Sequence, residues 1–238
     1  MKAKLKKRIP LILFLLMTLS GLAIALYPTI SNYVNERKQA QLVENYRKRS
    51  AELEQAAYNA LFDKADAYNR KLFEDNIDFQ SIESYRDEFA KEGLTYTDLL
   101  KVEGSDVMGY IEIDKIGVRL TIGYGTSEEV LETSVGHMEG TSLPVGGENT
   151  HAVLFGHRGL PSAKLFTDLD QIEEGDTFTI HVLNRTLTYQ VDKIQVVTPE
   201  ETDPLRLEPG KDYITLVTCT PYAVNTHRLL IRGVRVEG

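Results

Sequence analysis

DYITLVTCTPYAVNTHRLLIRGVRV, Asp212 to Val236, is the stretch on which the fold turns. Two runs of β-branched and apolar residues, DYITLVTC and HRLLIRGVRV, flank a segment that opens on Thr220-Pro221. Proline cannot continue a strand ladder, so the first run ends there and the second starts a new strand. Upstream, VMGYIEI from Val107, GVRLTIG, HAVLFGH, DTFTIHVL and TLTYQVDKIQVV repeat the pattern between Gly- and Pro-rich turns. Residues 107–238 therefore read as a mainly β domain, a closed barrel or a sandwich, with short helices such as Ser127 to Val135 packed outside. No internal repeat or further domain boundary interrupts it.

Ahead of that domain the period changes. From Ser31 to Phe73 there is no Gly or Pro, and Leu42, Tyr46, Leu53, Ala57, Tyr58, Leu61 and Ala65 fall at helical spacings. This predicts a helical arm, read as a spacer, with short helix and loop over Asn76 to Leu100. At the N-terminus, Lys2, Lys4, Lys6, Lys7 and Arg8 precede an apolar run from Ile9 to Leu26. That length is near the minimum for crossing a bilayer. The run ends in Ala23-Ile24-Ala25-Leu26-Tyr27-Pro28, only a partial match to a cleavage site, so it reads as a signal anchor. The basic residues keep the N-terminus inside and the rest outside. The chain divides into a cytoplasmic tail (1–8), a single transmembrane anchor (9–27), a helical arm and possible lid region (28–106) and an extracellular catalytic domain (107–238).

Charge and residue types exclude several functions. The chain carries −8 overall. Without the five N-terminal cations, 22 remain against 35 acids, a balance of −13 that is ill suited to nucleic acid. Gly123-Tyr124-Gly125 and Gly146-Gly147 lack the spacing of phosphate loops, so they read as turns and no cofactor is implied. His137, His151, His157, His181 and His227 show no i, i+2 or i, i+4 pair, so no metal site is expected. His137 reads as a structural hydrogen-bonding residue in a loop.

Cys219 is the lone cysteine and cannot form an internal disulfide. Its place at a strand end beside a loop suits a nucleophile, although a buried thiol acting as a small hydrophobe occupies similar positions. His157 also ends an apolar run, and imidazole is the side chain suited to exchanging protons with a thiol at neutral pH. Arg228, at the start of the next strand, can come alongside Cys219 across a hairpin and donate to an oxyanion.

TLVTC at Thr215 to Cys219, its extension TPYAVNTHRLLIRG, the segment GHRGLPSAKLFTDLD from Gly156 and the segment GHMEGTSLPVGG from Gly136 resemble sortases. The likeness is to class C, the pilin-polymerising sortases of Gram-positive bacteria, and it covers 107–238. It implies a closed eight-stranded β-barrel with short peripheral helices and a Cys-His-Arg site, whose roles fall on Cys219, His157 and Arg228. It further implies cleavage of a Leu-Pro-x-Thr-Gly-like sorting signal through a thioester and transfer to a lysine amine of another pilin. The alternatives are a housekeeping sortase using a cell-wall precursor amine, a papain-like wall peptidase and an inert membrane-tethered scaffold. The order His157 before Cys219 argues against the peptidase.

The sequence departs from class C in two places. The Asp-Pro-aromatic lid motif of many members is missing, since the one Asp-Pro is Asp203-Pro204, and Phe73 to Phe79 is the candidate substitute. Many members also carry a C-terminal membrane helix, whereas this sequence stops at Gly238. Either the anchor is N-terminal only or the sequence is shortened.

Overall fold

The computed structural model describes residues 2–236, with side chains from Ile12 onward. The side chains of the predicted basic tail 1–8 lie outside the described residues. Helix α1 (Lys2–Ala51) leads through a short break into α2 (Gln55–Glu74) and α3 (Ile82–Lys91). Eight strands and a short helix follow: β1 (Val107–Ile113), β2 (Val118–Tyr124), α4 (Glu128–Leu131), β3 (Val135–His137), β4 (Thr150–Phe155), β5 (Thr177–Val182), β6 (Arg185–Val197), β7 (Asp212–Thr220) and β8 (His227–Val236). The sheet closes in the order β1-β2-β3-β4-β7-β8-β6-β5, the expected eight-stranded barrel.

The strand pattern sets two faces. On β7, Ile214 and Leu216 enter the main core with Ala152 and Leu154 of β4 and Leu229 and Ile231 of β8. The alternate residues Val153, Val217 and Leu230 form a second apolar cluster with Val197 and Leu205. Because side chains alternate along a strand, that second cluster lies on the outer face of β4, β7 and β8.

The arm is packed against the barrel and is not a free spacer. Gln39, 1% exposed, accepts from the backbone N–H of Thr121 and donates to the Thr133 carbonyl. Tyr46 donates to Met108 O at 2.9 Å and accepts from Leu183 N at 2.7 Å, spanning two strand ends. Helix α2 buries Tyr58, Phe62, Ala65, Asn69 and Leu72, one stripe at i, i+3, i+4 spacing. Asn69 satisfies both backbone groups of Leu143 with its amide.

Three further expectations are corrected. The helix read from Ser31 to Phe73 is two helices, turning at Glu52, Leu53 and Glu54. The helix read from Ser127 to Val135 ends at Leu131, and Val135 opens β3. His137, assigned to a loop, is the last residue of that strand. Gly136 allows the strand to form: a Cβ there would sit 2.3 Å from Gly125 O, so any side chain would push β3 off its neighbour.

Candidate active site

Cys219 and Arg228 are cross-strand partners in the β7–β8 hairpin, so both side chains project from the same face. Parallel pairing of β4 with β7 sets Phe155 opposite Val217, and the ladder continues through Gly156 N–H to Val217 O at 3.0 Å. His157 follows two residues after the end of β4, as Cys219 follows two residues after Val217 on β7. Thr218, on the opposite face, donates to Gly156 O at 2.7 Å and ties the two strand ends together. The structure therefore pairs Cys219 with Arg228 on the outer face and brings the chain leading into His157 to the same end of the barrel. Cys219, His157 and Arg228 are all half-buried, shielded in part but open to a ligand.

Arg228 donates through Nη1 to Asn225 O at 3.2 Å and to His227 O at 3.1 Å. Among the described residues those are its hydrogen bonds, so the remaining guanidinium N–H groups are available to a bound carbonyl. The His157 carbonyl accepts from Phe166 N at 3.1 Å, which folds the following loop back onto it.

Arg158 and Tyr222 belong to this region and escape sequence reading. The Arg158 side chain, 9% exposed, pairs with Asp170, donates to Thr220 Oγ1 at 3.3 Å and lies 5.9 Å from the Tyr222 ring centre. It fastens the loop after β4 to the residues following Cys219. Its Nε is buried without a partner among the described residues. The signal available was adjacency to His157 and Thr220, which says nothing of direction.

The strip leading away from Cys219 along the outer face is covered. Phe79 packs on the second apolar cluster with Met138 and Phe155. Its turn is set by Asp78, whose Oδ1 accepts from Gln80 N, Ser81 N and Ser81 Oγ. Gln80 then donates to Thr202 of the β6–β7 loop at 3.0 Å. Gly140 lets the segment approach, because a Cβ there would lie 2.5 Å from Phe79 Cα. Phe79, the last residue of the acidic and aromatic segment, thus lies on this strip. Asp203-Pro204 instead forms a turn whose Leu205 joins the same cluster.

The remaining histidines are held elsewhere. His137 is fully buried, with Nδ1 2.9 Å from Tyr96 Oη and Nε2 2.8 Å from Ser142 O. His151 lies between Arg206 O and Thr215 Oγ1. Burial lowers both to about 4, so they are neutral at physiological pH. His227 meets Thr226. Among the described residues, no group of three or more His, Cys, Asp or Glu side chains is placed to hold a metal ion.

A sortase-domain family model matches residues 111–236, more than half of the chain. Sortase D of Bacillus subtilis (strain 168) is 32% identical over 139 residues, covering 57% of this chain and 67% of that protein. The crystal structure of sortase C1 from Streptococcus agalactiae superposes with a TM-score of 0.76 at 44% identity, covering 83% of this chain and 99% of that one. Sortase C-1 from Streptococcus pneumoniae gives 0.72 at 42% identity, with 83% and 99% coverage. These solved structures are class C sortases. The chain belongs to the sortase family of cysteine transpeptidases.

Proposed function

We propose that this protein joins pilin subunits: it cleaves a Leu-Pro-x-Thr-Gly-like sorting signal and transfers the acyl group to a lysine amine on another pilin. The observation that carries this reading is the pairing of Cys219 with Arg228 on the outer face of a barrel similar to class C structures, at the end where β4 leads into His157. In this reading the Cys219 thiolate attacks the scissile carbonyl. Arg228 donates to the oxyanion of the tetrahedral intermediate. Collapse breaks the C–N bond as His157 protonates the departing amine, leaving a thioester on Cys219. His157 then takes a proton from the incoming lysine amine, which attacks the thioester and releases the thiol with an isopeptide bond formed.

The enzyme is read as single-pass, held by the apolar segment 9–27 with its catalytic domain outside the cell. Helix α1 supplies support, since its residues from Ile12 onward are apolar enough to cross a membrane and the hydrophobic window is unburied. The turn 78–81, with Phe79 on the apolar strip, serves as the cover that a donor peptide displaces.

The experiment offers a sorting peptide together with two amines, a lysine-bearing pilin and a cell-wall precursor amine, and reads the products by mass spectrometry. Isopeptide linkage to the pilin is expected. Exclusive transfer to the precursor would make this a wall-anchoring sortase, and hydrolysis unaffected by either amine would make it a peptidase.

A further inference from the structure

We infer that the catalytic end of the barrel rests on the outer surface of the lipid bilayer. The inference builds on the reading of α1 as the membrane anchor and adds where the active site sits relative to that membrane.

Helix α1 runs along the barrel in a definite direction. Asn32 Oδ1 accepts from Lys164 N at 2.7 Å, and Lys164 Nζ donates to Ile116 O in the β1–β2 turn. Fourteen residues later, Tyr46 reaches Met108 at the start of β1 and Leu183 just beyond the end of β5. The membrane side of the helix therefore points to the end of the barrel where β1 finishes. β4 runs antiparallel to β3, which is parallel to β2, and β2 is antiparallel to β1. β4 thus runs with β1, and β7 runs parallel to β4. Their last residues, leading to His157 and Cys219, lie at the membrane end, and Arg228 is there by its pairing with Cys219. β6 reaches the same end: Gln190 pairs with Thr177, the first residue of β5, and the strand continues to Val197, opposite Arg228.

The height above the bilayer follows from the helix. The anchor closes at Tyr27, 55% exposed. Asn32, already bonded to the barrel, is five residues on, a rise of about 7.5 Å. The headgroup layer on each side of the hydrocarbon has a comparable thickness, roughly 5–8 Å. The rim of the barrel consequently meets the headgroups.

The surface of that rim provides an independent observation. Outside α1, the described residues expose three large apolar side chains: Val196 at 60%, Tyr222 at 55% and Val224 at 63%. Val196 is at the end of β6, and Tyr222 and Val224 are in the β7–β8 loop, so all three lie at the membrane end. The direction of α1 selects lipid as what covers them, because it turns the end of the barrel that carries these three side chains toward the bilayer.

The test uses the full chain carrying Cys219→Ala, with a single new cysteine at Val196, Val224, Ile24 or Asn184, each labelled with a fluorophore. Asn184 is exposed in the β5–β6 turn at the opposite end. The proteins are reconstituted in phosphatidylcholine–phosphatidylglycerol vesicles carrying a nitroxide in either the headgroup or the acyl chain. Labels at Val196 and Val224 are expected to be quenched by the headgroup nitroxide, the label at Ile24 by the acyl-chain nitroxide and the label at Asn184 by neither. Quenching at Ile24 with Val196 and Val224 no more quenched than Asn184 overturns the inference while leaving the anchor intact. Protection of Val196 and Val224 only on adding pilin overturns it in favour of a protein partner. Loss of quenching at Ile24 defeats the anchor reading itself.

Discussion

Replacing Phe79 with Ala removes the side chain that the cover places on the outer apolar strip. Phe79 is half-buried against the cluster of Val153, Val197, Leu205, Val217 and Leu230. Full burial of such a side chain stabilises by about 1.5–3 kcal/mol, so half of it holds the closed segment by roughly 1–1.5 kcal/mol. Ile77 and Ile82, 1% and 5% exposed, pin the two ends of the segment in the main core, so the part that yields is the turn between them, whose other ties are weak: the Gln80–Thr202 bond is exposed, and the Arg86–Glu139 pair has its arginine half in solvent. A donor peptide must displace Phe79 to lie along the strip, and its apparent affinity is reduced by the closed fraction. Phe79→Ala should therefore raise kcat/KM for a sorting peptide roughly tenfold, the rate equivalent of about 1.4 kcal/mol. The assay follows peptide cleavage under subsaturating conditions, with a thermal melt alongside to show that the barrel stays folded. An unchanged kcat/KM in a folded variant would refute the claim that Phe79 competes with the donor.

Arg228→Ala should lower kcat about a hundred- to a thousandfold with the fold intact, the usual loss for one oxyanion donor, as measured by steady-state turnover. His137 and His151 are held neutral by burial, with values lowered from 6.5 to about 4. Their contribution is complete above about pH 6.5, where the unfolded histidines also shed their protons, and is lost as pH falls toward 4. It amounts to about 3 kcal/mol for each. Tm should therefore drop between pH 7 and pH 5, and less so in His137→Gln; a Tm independent of pH contradicts this. Tyr46→Phe leaves Leu183 N–H without its acceptor and Met108 O without its donor at a site 1% exposed. It should cost about 1–3 kcal/mol in urea unfolding.

Local pattern made much of the barrel readable. VMGYIEI and HRLLIRGVRV coincide with β1 and β8 because each is a continuous run rich in β-branched and apolar residues over a full strand length. β3 was not readable, because three residues centred on Gly136 are too few to show a period and form a strand only through pairing with β2 and β4. The turn at Glu52 to Glu54 was hidden because nothing in its composition breaks a helix, and tertiary packing of Tyr58 and Phe62 redirects the chain. In the site, Arg228 was within reach of sequence reasoning because a hairpin is a local object. That β4 leads into His157 at the end of the barrel where Cys219 lies depends on parallel pairing across 62 residues, which the motif resemblance supplied and periodicity could not. Phe79 and Arg158 act through contacts made only in the folded chain.

The most direct test of the account is the intact mass of the enzyme quenched in acid during turnover of a sorting peptide, followed by proteolytic mapping of the adduct. The account predicts the acyl fragment as a hydroxylamine-labile thioester on Cys219, accumulating when no amine acceptor is present and discharged onto a pilin lysine when one is added. Cleavage without an adduct, an adduct at another residue, or turnover that survives Cys219→Ala would contradict it.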